Sequence, residues 1–168
     1  MNCYVCADNN FGISIKGKPL ASIPAETKTR IREVTGKVAV YGLDYINDLP
    51  GQQPLRDTVN IIFTDGRKTS VKPSKSVILC DTLEEVRSTL KDYKSEDICV
   101  LHHEKLYKEF LKDFDVIHVT KIDYTYKADA FFDNLDKNPD FYIAADSEEQ
   151  YCFDIVYYFY RYERRKNK

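Results

Sequence analysis

Three stretches of the chain carry side chains that could do chemistry. The first is Glu26, with Arg30 four residues further on. Residues four apart share one face of a helix, so this carboxylate and guanidinium can pair. A carboxylate whose pKa is raised by burial can serve as a general acid near neutral pH. The same carboxylate at a helix start can equally face water and complement the helix dipole. The second stretch is His102-His103-Glu104. Adjacent histidines at a strand end point apart, and only Glu104 and the distant His118 could join them, so packing or surface roles fit better and no metal is expected. The third is the run Tyr151 to Glu163, in which tyrosines and phenylalanines interleave with arginine. Such a run can stack bases and hold phosphates. More often it makes a long antiparallel strand with one buried face and one tyrosine-rich face. Tyrosine also suits protein surfaces, so an extended strand of this kind could pair with a second copy of the chain.

Composition narrows the function classes. The 168 residues (1-168) fit a single domain able to bury a proper core. Apolar residues make up 43% and charged residues 31%, as in a globular protein. A formal net charge of -2 gives no global pull toward nucleic acid or anionic lipid. Arg161, Arg164, Arg165, Lys166 and Lys168 form a local basic cluster, read as a solvated, frayed end. The five cysteines, Cys3, Cys6, Cys80, Cys99 and Cys152, are odd in number and irregularly spaced, which argues against a disulfide framework. Each falls in an apolar run, where a free thiol behaves as a small hydrophobe. No stretch is long enough to span a membrane and the N-terminus has no signal-peptide pattern. The expected location is the cytoplasm.

The elements that must position these residues are legible in outline. Asn2 to Ala7 reads as a buried strand, followed by a loop through Gly12, Gly17 and Pro19. Ser22 as N-cap, Pro24 in the first turn and Glu26 at the positive dipole end open a helix to about Val34. Lys37 to Tyr41 is a strand, and Gly42 opens a short helix to about Asp48. Pro50-Gly51 and Asp65-Gly66 bracket a β-branched strand from Thr58 to Thr64. Ser76 to Cys80 is a strand, and Thr82 with Glu85 forms a capping box for a helix to about Tyr93. Ile98 to Leu101 is a short apolar strand, Glu104 to Leu111 a helix, Val116 to Ile122 a strand. Phe141 to Ala145 and the run Gln150 to Tyr162 close the chain. Alternating strands and helices imply a parallel sheet, and the late strands an antiparallel edge. The expected fold is α/β: a mixed, mostly parallel central sheet with helices on both faces and antiparallel C-terminal strands.

Several segments in this order resemble dihydrofolate reductase. Tyr4-Val5-Cys6-Ala7 with Gly12-Ile13-Ser14 is similar to the family's opening strand and Gly-Ile-Gly turn. Leu20-Ala21-Ser22-Ile23-Pro24-Ala25-Glu26 resembles the start of its first helix, and Val40-Tyr41-Gly42-Leu43-Asp44-Tyr45 its next strand and turn. Asn60-Ile61-Ile62-Phe63-Thr64, the segment Ile98 to Leu111, His118-Val119-Thr120-Lys121-Ile122-Asp123, Asp129-Ala130-Phe131-Phe132 and Tyr151-Cys152-Phe153-Asp154-Ile155 continue the match nearly end to end.

The resemblance implies that Glu26 is the buried acid that binds the pterin's amino group and N3 and assists protonation, with Thr120 as its hydrogen-bonded partner. Val5, Ala7 and Leu101 would line the pterin pocket. Other positions depart from the family. Ala21 stands for its tryptophan, and Arg30 for the phenylalanine that stacks on the pterin. The arginine that clamps the folate tail falls approximately at Thr58, with Arg56 nearby.

The family binds NADPH phosphates through a Gly-Gly turn, and here that pair is His102-His103, with Glu104 adding negative charge at the helix start. The second phosphate turn follows Gly42, where Leu43 replaces arginine and Tyr45 a hydroxyl residue. Arg67 or Lys68 could still meet a 2'-phosphate. The expectation is a homologue with its NADPH-binding turns lost, no bound cofactor, weak or no reductase activity, a residual pterin or folate pocket, and a binding or regulatory role. The alternative is a divergent but active reductase that uses NADPH. A third reading is a nucleotide- or partner-binding module using the C-terminal tyrosines.

Overall fold

The computed structural model describes residues 1–166. Twelve strands form: β1 (Asn2–Ala7), β2 (Gly12–Ile15), β3 (Lys18–Pro19), β4 (Val38–Gly42), β5 (Val59–Phe63), β6 (Val77–Cys80), β7 (Ile98–Val100), β8 (Val116–Ile122), β9 (Ala130–Phe131), β10 (Phe141–Asp146), β11 (Gln150–Cys152) and β12 (Ile155–Arg164). Three α-helices accompany them: α1 (Pro24–Val34), α2 (Leu83–Leu90) and α3 (Glu104–Phe110). The main sheet runs β10-β12-β8-β1-β7-β4-β5-β6, with β11 paired to β12. From β8 to β6 every pair is parallel, and β12 is antiparallel to β8, β10 and β11. This is the mixed α/β sheet that the sequence pattern implies.

Alternation along the central strands sends side chains to two cores. Val38 and Val40 of β4 and Val100 of β7 join Val86, Leu106 and Phe110 from α2 and α3 on one face. Ala39, Tyr41 and Cys99 join Val34 of α1 on the other. Strands covered on both faces read as continuous apolar runs, and all five residues of β4 are buried. No helix among the described residues is long and apolar enough to cross a membrane.

Several local expectations are corrected. The loop through Gly12, Gly17 and Pro19 is a hairpin of β2 and β3, which joins β9 in a small antiparallel sheet. Its turn is made by Lys16 and Gly17, both with positive φ. The N-cap of α1 is Ile23, not Ser22, and no side chain caps it. Pro24 lacks an N–H, so one orphan donor is absent from that end anyway. In the capping box of α2, Thr82 accepts from the Glu85 N–H at 3.1 Å, but the Glu85 carboxylate accepts from Asp81, one residue before the N-cap. That helix ends at Leu90 rather than at Tyr93.

The aromatic run from Gln150 is not one strand. Phe153, with φ of 54°, and Asp154 turn the chain between β11 and β12. β12 then lies between β8 and β10, so its backbone is already paired on both sides. The basic end is not frayed either. Arg164 donates to the Phe114 and Leu111 carbonyls at 2.8 and 2.7 Å, stacks over Phe141, and pairs with Asp140. Lys168 lies outside the described residues.

Candidate functional site

A cleft of about 1050 Å³ opens beside α1, the carboxyl end of β7 and the β2–β3 hairpin. Glu26, Arg30, Val5, Leu101, His102, His103 and Glu104 all line it. A parallel sheet places its binding residues at the carboxyl ends of strands, and the ends of β4 and β7 meet here. The backbone bond from Leu101 N–H to the Val40 carbonyl, 2.8 Å, sets residues 102 and 103 beside Gly42.

Glu26, Arg30 and Val34 form the buried stripe of α1, at a spacing of four. Two of these three carry charge, so the helix must satisfy them internally. Arg30 pairs with Glu26, donates to the Leu101 carbonyl at 3.2 Å, and reaches the Tyr45 hydroxyl at 3.5 Å. Its Nε is buried without a partner. Burial opposes the charge on Arg30, but the Tyr45 oxygen and the Glu26 carboxylate outweigh it, so the guanidinium stays firmly protonated.

Thr120 is buried on β8, yet no hydrogen bond joins it to Glu26. The expected acid–threonine hydrogen bond is thus absent among the described residues, and Arg30 donates to Glu26 Oε1. Ala7 is fully buried in the core that holds Cys3 and Phe11, and does not line the cleft. Val5 shares that strand face but sits nearer the cleft. Leu43 packs against the cluster of Tyr41 and Tyr45 instead of facing the cleft. Thr58 turns its hydroxyl to the Arg56 carbonyl at 2.8 Å.

The two histidines have separate roles. His102 stacks on Tyr45, ring centroids 5.3 Å apart and planes 16° from parallel. Burial, then His103 and Arg30, push its pKa down to about 4, so it is neutral at pH 7. His103 is the N-cap of α3, where its Nδ1 accepts from the Lys105 N–H at 3.2 Å. Its φ is 96°, a region that favours glycine. Its ring meets Phe63 edge-on and covers Gly42 so closely that a Cβ there would lie 2.5 Å from its Cδ2.

Several of the surrounding charges are mutually engaged. Glu104 pairs with Lys108, Lys105 with Asp65, and Arg67 with Asp44. The cleft carries five carboxylates against three cationic side chains, a lining that disfavours polyanions. Among the described residues, no group of three His, Cys, Asp or Glu side chains is placed to hold a metal ion.

Sequence reasoning missed the contacts that three residues make. Tyr45 links Arg30 to His102. Tyr107 donates a bond shared between the Tyr4 and Leu101 carbonyls, at 2.9 and 2.8 Å. Fully buried Asp8 accepts backbone N–H bonds from Asn10, Gly12 and Tyr126. Only Asp8 had a local signal, since Asp before Asn-Asn favours an Asx-type turn.

A family model described as dihydrofolate reductase matches residues 1–164. No curated protein matches the chain.

Proposed function

The chain belongs to the dihydrofolate reductase family, and from that premise we propose that it binds a pterin-like ring without working as an NADPH-dependent reductase. The Glu26–Arg30 pair carries this reading. In the family the corresponding acid receives the amino group and N3 of the pterin. A guanidinium presents a similar flat fork of N–H donors, so Arg30 acts as a built-in occupant of Glu26. Breaking a buried pair costs about 3–5 kcal/mol, enough to weaken a competing ligand by about two to four orders of magnitude.

The cofactor side supports the same reading. The His103 ring covers Gly42, Glu104 puts a carboxylate at the start of α3, and Arg67 is held by Asp44. This set does not fit the diphosphate of a dinucleotide, which needs open backbone N–H groups and positive charge. The role we assign is binding or regulation, in the cytoplasm, where five free cysteines would stay reduced.

The test is NADPH oxidation at 340 nm with dihydrofolate as substrate. The expected rate equals the enzyme-free blank. A kcat/KM of about 10⁴ M⁻¹s⁻¹ or more, the lower end for ordinary enzymes, overturns the proposal.

A further inference from the structure

At the C-terminal edge of the main sheet, strand register sets two rows of side chains side by side on one face. Asp123, one residue past β8, donates its N–H to the Val156 carbonyl at 2.8 Å, and Val156 sits opposite Tyr151 of β11. In the next row Lys121 sits opposite Tyr158, whose hydroxyl donates to Glu149 at 2.7 Å. The rows are open to solvent. Tyr151 is 66% exposed, Tyr124 beside Asp123 is 59% exposed, and Phe153 stands out at the turn between β11 and β12. Three of the six exposed large apolar side chains among the described residues thus gather here, a cluster that marks an interaction surface.

The charge on this face is one-sided. Asp123, Glu148, Glu149 and Asp154 are exposed, and none forms an ion pair among the described residues. Lys121 is the one cation in the two rows, and Asp136 holds it at 2.9 Å. Carboxylates beside open aromatic rings suit lysine and arginine, whose charge meets the first and whose stem or charge packs on the second. The opposite edge of the sheet supplies that chemistry. Residues 67–73, on the way to β6, form neither helix nor strand. Residues 67–75 carry Arg67, Lys68, Lys72 and Lys75 and no carboxylate. Lys72, Pro73 and Lys75 are exposed, and neither lysine is ion-paired among the described residues. Proline suits an aromatic surface because its backbone is already stiff.

We propose that this face docks a second copy of the chain, which offers its 67–75 segment. Lys72 and Lys75 face the carboxylates, and Pro73 with the lysine stems lies on Tyr151 and Phe153. Face and segment are separated by the six strand spacings from β12 to β6, roughly 30 Å at about 4.8 Å each. One copy therefore cannot close on itself, and the contact is head-to-tail. Two such faces do not meet each other, because like carboxylates would oppose. The face shares no residue with the cleft, so the inference is independent of how the cleft is read.

Sedimentation velocity of the full chain is the test. The mean mass of the parent should rise above that of a monomer as its concentration approaches about 1 mM in about 20 mM salt, and fall back in about 0.5 M salt. Tyr151→Ser with Phe153→Asn removes the face, and Lys72→Ser with Lys75→Ser removes the segment's charges. Each variant alone keeps one half of the contact and should associate at least tenfold more weakly than the parent. Their equimolar mixture should form a one-to-one dimer that grows no further, since its free ends are the two altered halves. Should the face variant fail to fold, the segment variant and the salt dependence decide alone. A parent that stays monomeric, a variant that associates like the parent, a mixture that stays monomeric, or association unchanged by salt would each overturn the proposal. Binding of hexalysine to a parent that stays monomeric would assign the face to a foreign basic partner and overturn it equally.

Discussion

The guanidinium of Arg30 donates to the Leu101 carbonyl at 3.2 Å while it holds the Glu26 carboxylate. One side chain thus ties α1 to the end of β7 and closes the acid that a pterin would use. The arrangement is costly to leave half made. Removal of one partner strands a buried charge, whereas apolar replacement of both can be neutral or better.

Arg30→Leu should therefore lose about 3–5 kcal/mol of stability, and Glu26→Leu with Arg30→Leu should recover most of it. Urea denaturation of the two single variants, the double variant and the parent measures this coupling. Equal losses in the single and double variants would show that the pair does not act as a unit.

Arg30→Phe should expose Glu26 and add a flat apolar wall. Pterin affinity, measured by calorimetry, should rise at least tenfold over the parent chain. An unchanged or weaker affinity would remove Arg30 as the occupant of the acid.

The His103 ring and Gly42 should show strong coupling. Gly42→Ala alone places a Cβ 2.5 Å from His103 Cδ2 and should cost about 1–3 kcal/mol. His103→Gly removes the ring and a positive-φ penalty of about 1 kcal/mol or more. It also forfeits the Phe63 contact, about 0.5–1.5 kcal/mol, and a few tenths from the cap. These effects nearly cancel, so His103→Gly should stay within about 1 kcal/mol of the parent and make Gly42→Ala harmless. Thermal or urea unfolding of all four proteins checks the cycle.

The folded-state pKa of His102, about 4, lies below the ordinary value for a free histidine. A base with a depressed pKa contributes stability at pH above its unfolded value of about 6.5. That contribution is lost as pH falls toward 4. Between pH 7 and 4 the parent should lose about 3 kcal/mol more than His102→Phe, which keeps a ring against Tyr45. Comparing the two isolates His102 from the carboxylates. His103 and His118 are shifted in the same direction by burial and are common to both proteins. Parallel pH profiles would contradict the burial of His102.

Asp8 offers a test far from the cleft chemistry. Asp8→Ala leaves the Gly12 and Tyr126 N–H groups without their acceptor. At about 1–3 kcal/mol for each stranded group, the loss should exceed about 2 kcal/mol in urea denaturation.

How far the sequence could be read follows from the range of each signal. The parallel strands of the main sheet and the pairing of Glu26 with Arg30 depend on spacing within one element, and both were legible. The Thr120 geometry was not, because it depends on how β8 sits against α1, which no local pattern encodes. The His103 ring over Gly42 depends on the parallel register of β4 and β7, which no local pattern encodes. The hairpin of β11 and β12 was hidden because Phe153, 98% exposed at its turn, looks like any other aromatic in the run.

Titration of the protein with NADPH, followed by nicotinamide fluorescence and thermal shift, tests the closed dinucleotide turn most directly. No saturable response is expected up to millimolar cofactor, and saturation at micromolar NADPH would overturn the reading of a closed turn.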